Sequence, residues 1–163
     1  GSKIYDDELK RQQEINQGLL KQSGSENQYV IHDEMGKWMT DNVTVVRYND
    51  KLKATDEKLL ELIDRYRHIS LNDSNMWATH ALPHARQLYN MLQLARVITL
   101  GALNRNESRG AHYKPDFPNR DDENFLKTTI AEFSGEGPVF SWEAVDVGLI
   151  ADSFSALMCR LLQ

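Results

Sequence analysis

Two histidines have the residue type and spacing that a metal site could use. His80 and His84 stand four positions apart, so both imidazoles could lie on one helix face and share a zinc ion. However, Pro83 stands between them, no glutamate follows His80, and no third ligand is placed nearby. The sequence therefore predicts no metal site at this pair.

An acidic run and a lone cysteine are the next candidates for chemistry. Asp121, Asp122 and Glu123 could hold a cation or act as acid and base, but such a run is more typical of a solvated loop or the first turn of a helix. Cys159 has only Arg160 as a basic neighbour, which does not favour a reactive thiol. No GxGxxG, P-loop or GxSxG motif is present. We therefore predict no catalytic, cofactor-binding or metal-binding residue in this chain.

The densest polar cluster is the hexamer ESRGAH, residues 107–112. Arg109 offers a planar fork for a carboxylate, so the hexamer could be a buried structural clamp or an anion-binding site, and the residues favour the clamp. Gly110 can take the left-handed conformation that ends a helix, with Arg109 in its last turn. The candidate site residues, which we expect at a domain interface or behind a neighbouring site, are Glu107, Ser108, Arg109, Gly110 and His112.

Length and composition restrict the class of protein. The 163 residues suffice for one domain with a core, and 40% hydrophobic and 26% charged residues are ordinary for a globular chain. A net charge of −5, with no lysine–arginine run, argues against nucleic-acid binding. One cysteine excludes an internal disulfide, and no apolar run reaches the length of a membrane span. Gly1 and Ser2 resemble a remnant of cloning, which predicts a fragment of a longer protein.

Four amphipathic helices are predicted before the hexamer. They cover about residues 5–21, 27–43, 49–68 and, beginning between 79 and 82, a fourth helix of about seven turns. The third helix places Leu60 on its apolar side, among Leu52, Leu59, Ile63 and Tyr66. The expected apolar positions of the fourth helix and the segment before it are Trp77, Ala81, His84, Leu88, Met91, Ala95, Ile98 and Ala102. Short connections predict antiparallel neighbours.

The period changes after the hexamer. Residues 125–133 and 138–145 are predicted strands of a hairpin around SGEG, residues 134–137. The expected fold is mainly α: an antiparallel three- to four-helix bundle, similar to a spectrin repeat, over residues 3–110. A loop and β-hairpin extension follows over residues 111–150. The tail, residues 151–163, is atypical, and its apolar face could form a homodimer through Phe154, Leu157 and Leu161.

The stretch ESRGAHYKPDFPNRDDENFLKTT, together with QLYNML upstream and VDVGLI downstream, resembles a known family. It is similar to the C-terminal domain of the flavoprotein subunit of succinate dehydrogenase and fumarate reductase, over roughly residues 3 to 150. In that family the flavin and the dicarboxylate-binding residues belong to preceding domains, and no position here matches their motifs. The resemblance therefore implies that this chain has no catalytic or flavin-binding residue, and that residues 107–112 pack beside the flavin and capping domains.

The resemblance also implies the setting of the whole enzyme. The parent would oxidise succinate to fumarate with FAD and pass electrons to an iron–sulfur subunit, a membrane anchor and quinone, at the cytoplasmic face of the cell membrane. This chain would be its non-catalytic docking domain. An alternative is the C-terminal domain of L-aspartate oxidase, which has a similar ESRG turn but typically leucine where Ala111 stands. Two further alternatives are a free-standing helical adaptor and, third, a metal-dependent hydrolase.

Overall fold

The computed structural model describes residues 2–72 and 80–146. Within them lie five helices: α1 (Ser2–Lys21), α2 (Gln28–Asn42), α3 (Asn49–Tyr66), α4 (Ala81–Asn104) and the four-residue α5 (Asp122–Phe125). Two strands follow, β1 (Lys127–Glu132) and β2 (Val139–Ala144). The predicted mainly helical fold with a terminal hairpin is confirmed. The predicted homodimer residues and Cys159 lie outside the described residues.

The bundle is built from α2, α3 and α4, which run antiparallel to their neighbours. In the α2–α3 pair Glu34 bonds Arg65 while Asn42, later in α2, bonds Thr55, earlier in α3. The buried core extends from α1 through the three bundle helices and the segments that join them; its residues are Leu19, Ile31, Met35, Leu59, Leu62, Ile63, Ile69, Leu71, Ala81, Ala85, Leu88, Leu92 and Ala95. Burial of these side chains stabilises the bundle.

Two details of the predicted packing faces are wrong. Leu60 is 46% exposed, and Leu62 is buried in its place. In α4 the buried positions include Ala85, Leu92 and Thr99, whereas Ile98 is 51% exposed. The predicted and the observed buried faces of α4 are offset by one position at these three residues. The observed face includes Thr99, which as a polar residue was not expected to be buried. Its hydroxyl donates to the Ala95 carbonyl at 2.8 Å, so its burial leaves the hydroxyl paired.

The hairpin packs against the C-terminal half of α4. β1 and β2 are antiparallel, with Lys127 opposite Ala144 and Glu132 opposite Val139. The Phe140 ring lies over Gly101 of α4, since a Cβ at Gly101 would be 3.6 Å from the ring. A two-stranded sheet is marginal by itself, so contact with α4 and with the loop before β1 must hold it in place.

Candidate functional site

The hexamer does not end α4. The helix stops at Asn104, and Arg105 is already extended, because the apolar seam that ends at Ala102 is followed by Arg105 and Asn106. Gly110 does take the predicted left-handed conformation, with φ of 59°. It does so in a tight turn, in which Arg109 N–H donates to His112 O at 2.8 Å and His112 N–H to Arg109 O at 3.0 Å. The predicted helix C-cap at Gly110 is therefore wrong, and Gly110 is a turn residue.

Glu107 is the centre of the site, and it has no exposed surface. Arg105 donates to its Oε1 at 2.6 Å, and Asp121 N–H donates to its Oε2 at 3.0 Å. Arg109 donates to both oxygens, through Nε to Oε1 and through Nη2 to Oε2, each at 2.9 Å. Burial alone would raise the pKa of this carboxyl, but the bonds from Arg109, Asp121 N–H and Arg105 outweigh it and lower the pKa to about 2. We call Arg105, Glu107, Arg109 and the Asp121 N–H the Glu107 clamp.

Arg105 links the clamp to the hairpin. Its guanidinium donates to the carbonyls of Phe125, at 2.8 Å, and Lys127, at 2.6 Å. The same group lies 5.0 Å from the centre of the Trp142 ring, within the range of a cation–π contact. Arg105 therefore ties the end of α4 to both strands. Sequence reasoning missed it, because an arginine just after a helix looks like a solvated residue.

Ser108 and Lys114 organise the loop after the clamp. The Ser108 hydroxyl donates to Phe117 O at 2.8 Å and accepts from Lys114 N–H at 3.0 Å. Lys114 is fully buried, and its ammonium donates at 3.1 Å to Leu103 O, near the end of α4, and to Asn106 Oδ1. Burial lowers the pKa of Lys114 to about 8. No pattern in the sequence distinguished this lysine from an exposed loop residue.

His112 is held as a neutral imidazole by its two partners. Arg47 Nη1 lies 2.5 Å from Nδ1, and Arg105 O lies 3.0 Å from Nε2. An arginine can only donate and a carbonyl can only accept, so Nδ1 carries the lone pair and Nε2 the proton. Burial lowers the pKa of His112, and neighbouring Arg47, Lys114 and Arg105 lower it further, while the bond to Arg105 O acts in the opposite direction. The His112 ring is therefore held in one orientation between the Arg47 side chain and the Arg105 carbonyl.

The acidic run forms the start of α5. Asp121 is its N-cap, with its side chain accepting from Asn124 N–H at 3.0 Å. Asp122 accepts from Arg120 at 2.6 Å and from Arg109 at 2.7 Å, and these bonds lower its pKa to about 2. The run is a helix start that braces Arg109, in agreement with the structural interpretation of the sequence.

His80 and His84 have different surroundings in the structure. His80 is the N-cap of α4, whereas the His84 ring stacks on Tyr29 at 4.5 Å and lies beside His32, with 3.4 Å between His84 Nε2 and His32 Nδ1. Burial and His32 lower the pKa of His84. Over residues 2–72 and 80–146, no three His, Cys, Asp or Glu side chains converge as a metal site would require.

The clamp is thus a buried network whose donors and acceptors come from this chain. Each oxygen of Glu107 accepts two bonds, and Arg109 is shared between Glu107 and Asp122. A buried carboxylate whose oxygens are all paired within its own chain is typical of a structural ion-pair network, and not of a site that binds and releases an anion. The same described part of the chain holds no helix long and apolar enough to cross a membrane.

Comparison with known proteins decides the family. Residues 32–155 match the family model described as "Fumarate reductase flavoprotein C-term". The chain belongs to this family. A member with 52% identity over 151 residues is the succinate dehydrogenase flavoprotein subunit of Bacillus subtilis, and the match covers 91% of this chain and 26% of that protein. The fumarate reductase flavoprotein subunit of Helicobacter pylori strain J99 is 36% identical, over 85% of this chain and 20% of its own length.

A solved member has the same fold. The structure of Escherichia coli quinol fumarate reductase superposes with a TM-score of 0.82 at 29% identity, over 86% of this chain and 24% of that one. The predicted family, the C-terminal domain of a succinate dehydrogenase or fumarate reductase flavoprotein subunit, is confirmed. The chain spans about a quarter, or less, of the length of these relatives.

Proposed function

We propose that this chain is the C-terminal docking domain of a succinate dehydrogenase flavoprotein subunit and is itself not catalytic. The observation that carries the proposal is the Glu107 clamp, which is buried and saturated by residues of the segment between α4 and α5. The most distinctive polar residues of the sequence are therefore used to hold the domain together. This leaves the outer surface as the part that acts on other molecules.

The similarity to the Bacillus subtilis subunit supports a proposal for the reaction of the whole subunit. We assign to the whole subunit the oxidation of succinate to fumarate with FAD, and electron transfer through an iron–sulfur subunit and a membrane anchor to quinone at the cytoplasmic face. The flavin does not fit this chain: its sequence has no GxGxxG turn, and the described residues form helices and one antiparallel hairpin, without a strand–turn–helix cradle for a dinucleotide. We therefore place the flavin in the remainder of the subunit.

Exposed apolar residues support a docking role. Phe133 is 76% and Leu94 60% exposed, and Ile98 and Val139 are exposed as well. They belong to the C-terminal half of α4 and to the hairpin, the region that the clamp holds in position. Large exposed apolar side chains on one region of a small domain are typical of a protein interface. The homodimer through Phe154, Leu157 and Leu161 stays a separate prediction.

The proposal is tested with the purified chain and a partner. We expect the chain alone to show no flavin absorbance band and no succinate oxidation. It should associate with the Bacillus subtilis subunit truncated before the segment that this chain matches, as measured by co-elution in size-exclusion chromatography. A yellow preparation of the chain alone would contradict the assignment of the flavin. If the chain is instead a free-standing adaptor, it should not co-elute with the truncated subunit.

A further inference from the structure

A pocket between α4 and the hairpin shares only Arg105 with the Glu107 clamp. Its volume is about 330 Å³. One side is apolar, formed by Val97, Ile98, Ala102, Ala131 and Phe140, and Arg47, Arg105 and His112 form the polar side. Such a lining, mostly apolar with two arginines and a neutral histidine on one side, is typical of a binding site.

Arg47 is the unusual residue of this pocket. It donates through Nε to Val43 O at 3.2 Å and through Nη1 to His112 Nδ1 at 2.5 Å. Neither partner is charged, and within residues 2–72 and 80–146 no carboxylate forms an ion pair with it. By contrast, Arg65, Arg96, Arg105 and Arg109 each pair with an Asp or Glu. A partly buried arginine is costly unless an anion compensates it.

The carboxylates of this region do not pair with Arg47: the exposed Asp116 acts on Lys114, and within the described residues no ion pair joins it to Arg47. The buried carboxylate of this region, Glu107, already accepts from Arg105, Arg109 and Asp121 N–H. Lys114, a buried cation outside the lining, acts on His112 as well: burial lowers the pKa of His112, and Arg47, Lys114 and Arg105 lower it further. Burial lowers the pKa of Arg47 itself. The polar end of the pocket is therefore electropositive and suited to a carboxylate.

The apolar side continues beyond the pocket. A second pocket of about 220 Å³ shares Val97 and Ala131 with the first and extends along α4 and the hairpin to Leu94, Phe133 and Pro138. The two pockets adjoin along one groove, which is cationic at the Arg47 end and mostly apolar beyond it, with Gln93 and Glu132 among the residues that line its far part. A free small anion would fill only the cationic end, whereas a segment of polypeptide would cover the whole groove.

We propose that this groove receives a segment of the remainder of the flavoprotein subunit, with a carboxylate side chain paired to Arg47 and adjoining apolar side chains against Ile98 and Phe140. The inference rests on the proposed docking function and adds to it the position and chemistry of the contact. Arg47 supplies a directional donor pair for the carboxylate, and the apolar groove excludes water around that ion pair.

The test is the affinity of variants for the truncated Bacillus subtilis subunit. Arg47→Gln should raise the Kd at least about tenfold, Arg47→Lys should raise it less, and Ile98→Ser should raise it several-fold. Arg67→Gln is the matched control, because Arg67 is an exposed arginine at the other end of the bundle. Thermal unfolding of each variant shows whether it is folded. If loss of the Arg47–His112 contact disturbs the loop, Ile98→Ser still tests the groove, because Ile98 does not take part in that contact.

A photo-crosslinking residue at position 98 identifies the occupant directly. The inference predicts one cross-linked peptide from the truncated subunit, with an Asp or Glu within about two residues of the attachment point. Unchanged affinity of Arg47→Gln and Ile98→Ser, or a cross-linked peptide without an acid, would overturn the inference and leave the proposed function intact. Cross-links to a second copy of this chain would also overturn it. Absence of association by every variant and by the unaltered chain would overturn both.

Discussion

At the scale of single residues, Glu107 carries the largest energetic consequence. Replacing it by glutamine removes the charge that two arginines share and leaves Arg105 and Arg109 partly buried with less compensation. Loss of one member of a buried ion pair typically costs about 3 kcal/mol or more. We expect Glu107→Gln to lower the free energy of unfolding by about 3 kcal/mol in urea titrations at pH 7. Glu57→Gln, at an exposed position of α3, should change it by less than about 0.5 kcal/mol. Equal effects of the two would contradict the clamp.

The same carboxylate gives a pH dependence with a definite sign. The pKa of Glu107 falls from an ordinary 4.5 to about 2 in the folded chain, so the unfolded state binds more protons between these values. Its contribution to stability is complete above the unfolded pKa and is lost as the pH falls from 4.5 towards 2. The stability difference between the unaltered chain and Glu107→Gln should therefore shrink from pH 7 to pH 3. A difference that stays constant would show that the charge is not responsible.

The sequence revealed some of these residues and concealed others. Glu107, Arg109 and His112 were identifiable because they stand together in a dense polar hexamer. Arg47 and Lys114 were not, because their partners are distant in sequence or are backbone carbonyls. Whether a lysine in a polar loop is buried depends on which helix end it reaches, and residue type alone does not carry that information.

At the scale of elements, one glycine is required by close packing and another is not. A Cβ at Gly24 would lie 1.6 Å from the His68 carbonyl oxygen, where the α1–α2 connection passes the end of α3. A Cβ at Gly36, within α2, would meet nothing within 4 Å. We expect Gly24→Ala to lower the free energy of unfolding by about 1–3 kcal/mol and Gly36→Ala to raise it by about 0.5–1 kcal/mol. Thermal and urea unfolding of the pair measure both, and a stable Gly24→Ala would contradict the close approach.

The elements themselves were largely predictable. Periods of three and four indicated the bundle helices, and the change of period with SGEG indicated the hairpin, because both patterns reflect one buried face. The end of α4 was not predictable to the residue. Gly110 offered a strong stop signal, but the apolar seam had already ended at Ala102, and the side chain of Lys114 satisfies the Leu103 carbonyl.

At the scale of the whole molecule, the domain consists of a self-sufficient clamp and an outward apolar groove. The clamp joins α4 to the hairpin, and the groove that they form is lined by side chains without a cover in the described residues, such as Ile98 and Phe133. The family could be recognised from the sequence, because the ESRGAH hexamer and its DFPNRDDE continuation carry it. The groove could not be recognised from the sequence, because it forms only where the hairpin packs across α4.

We propose that this chain completes a catalytic subunit whose chemistry is carried out by the remainder of the protein. The most direct measurement is the rate of succinate-dependent dye reduction by the truncated Bacillus subtilis subunit, with and without added chain. We predict a low rate for the truncated subunit, none for the chain, and a rate that rises and saturates as chain is added. A rate that does not respond to the chain, in a mixture that also shows no association, would contradict the claim.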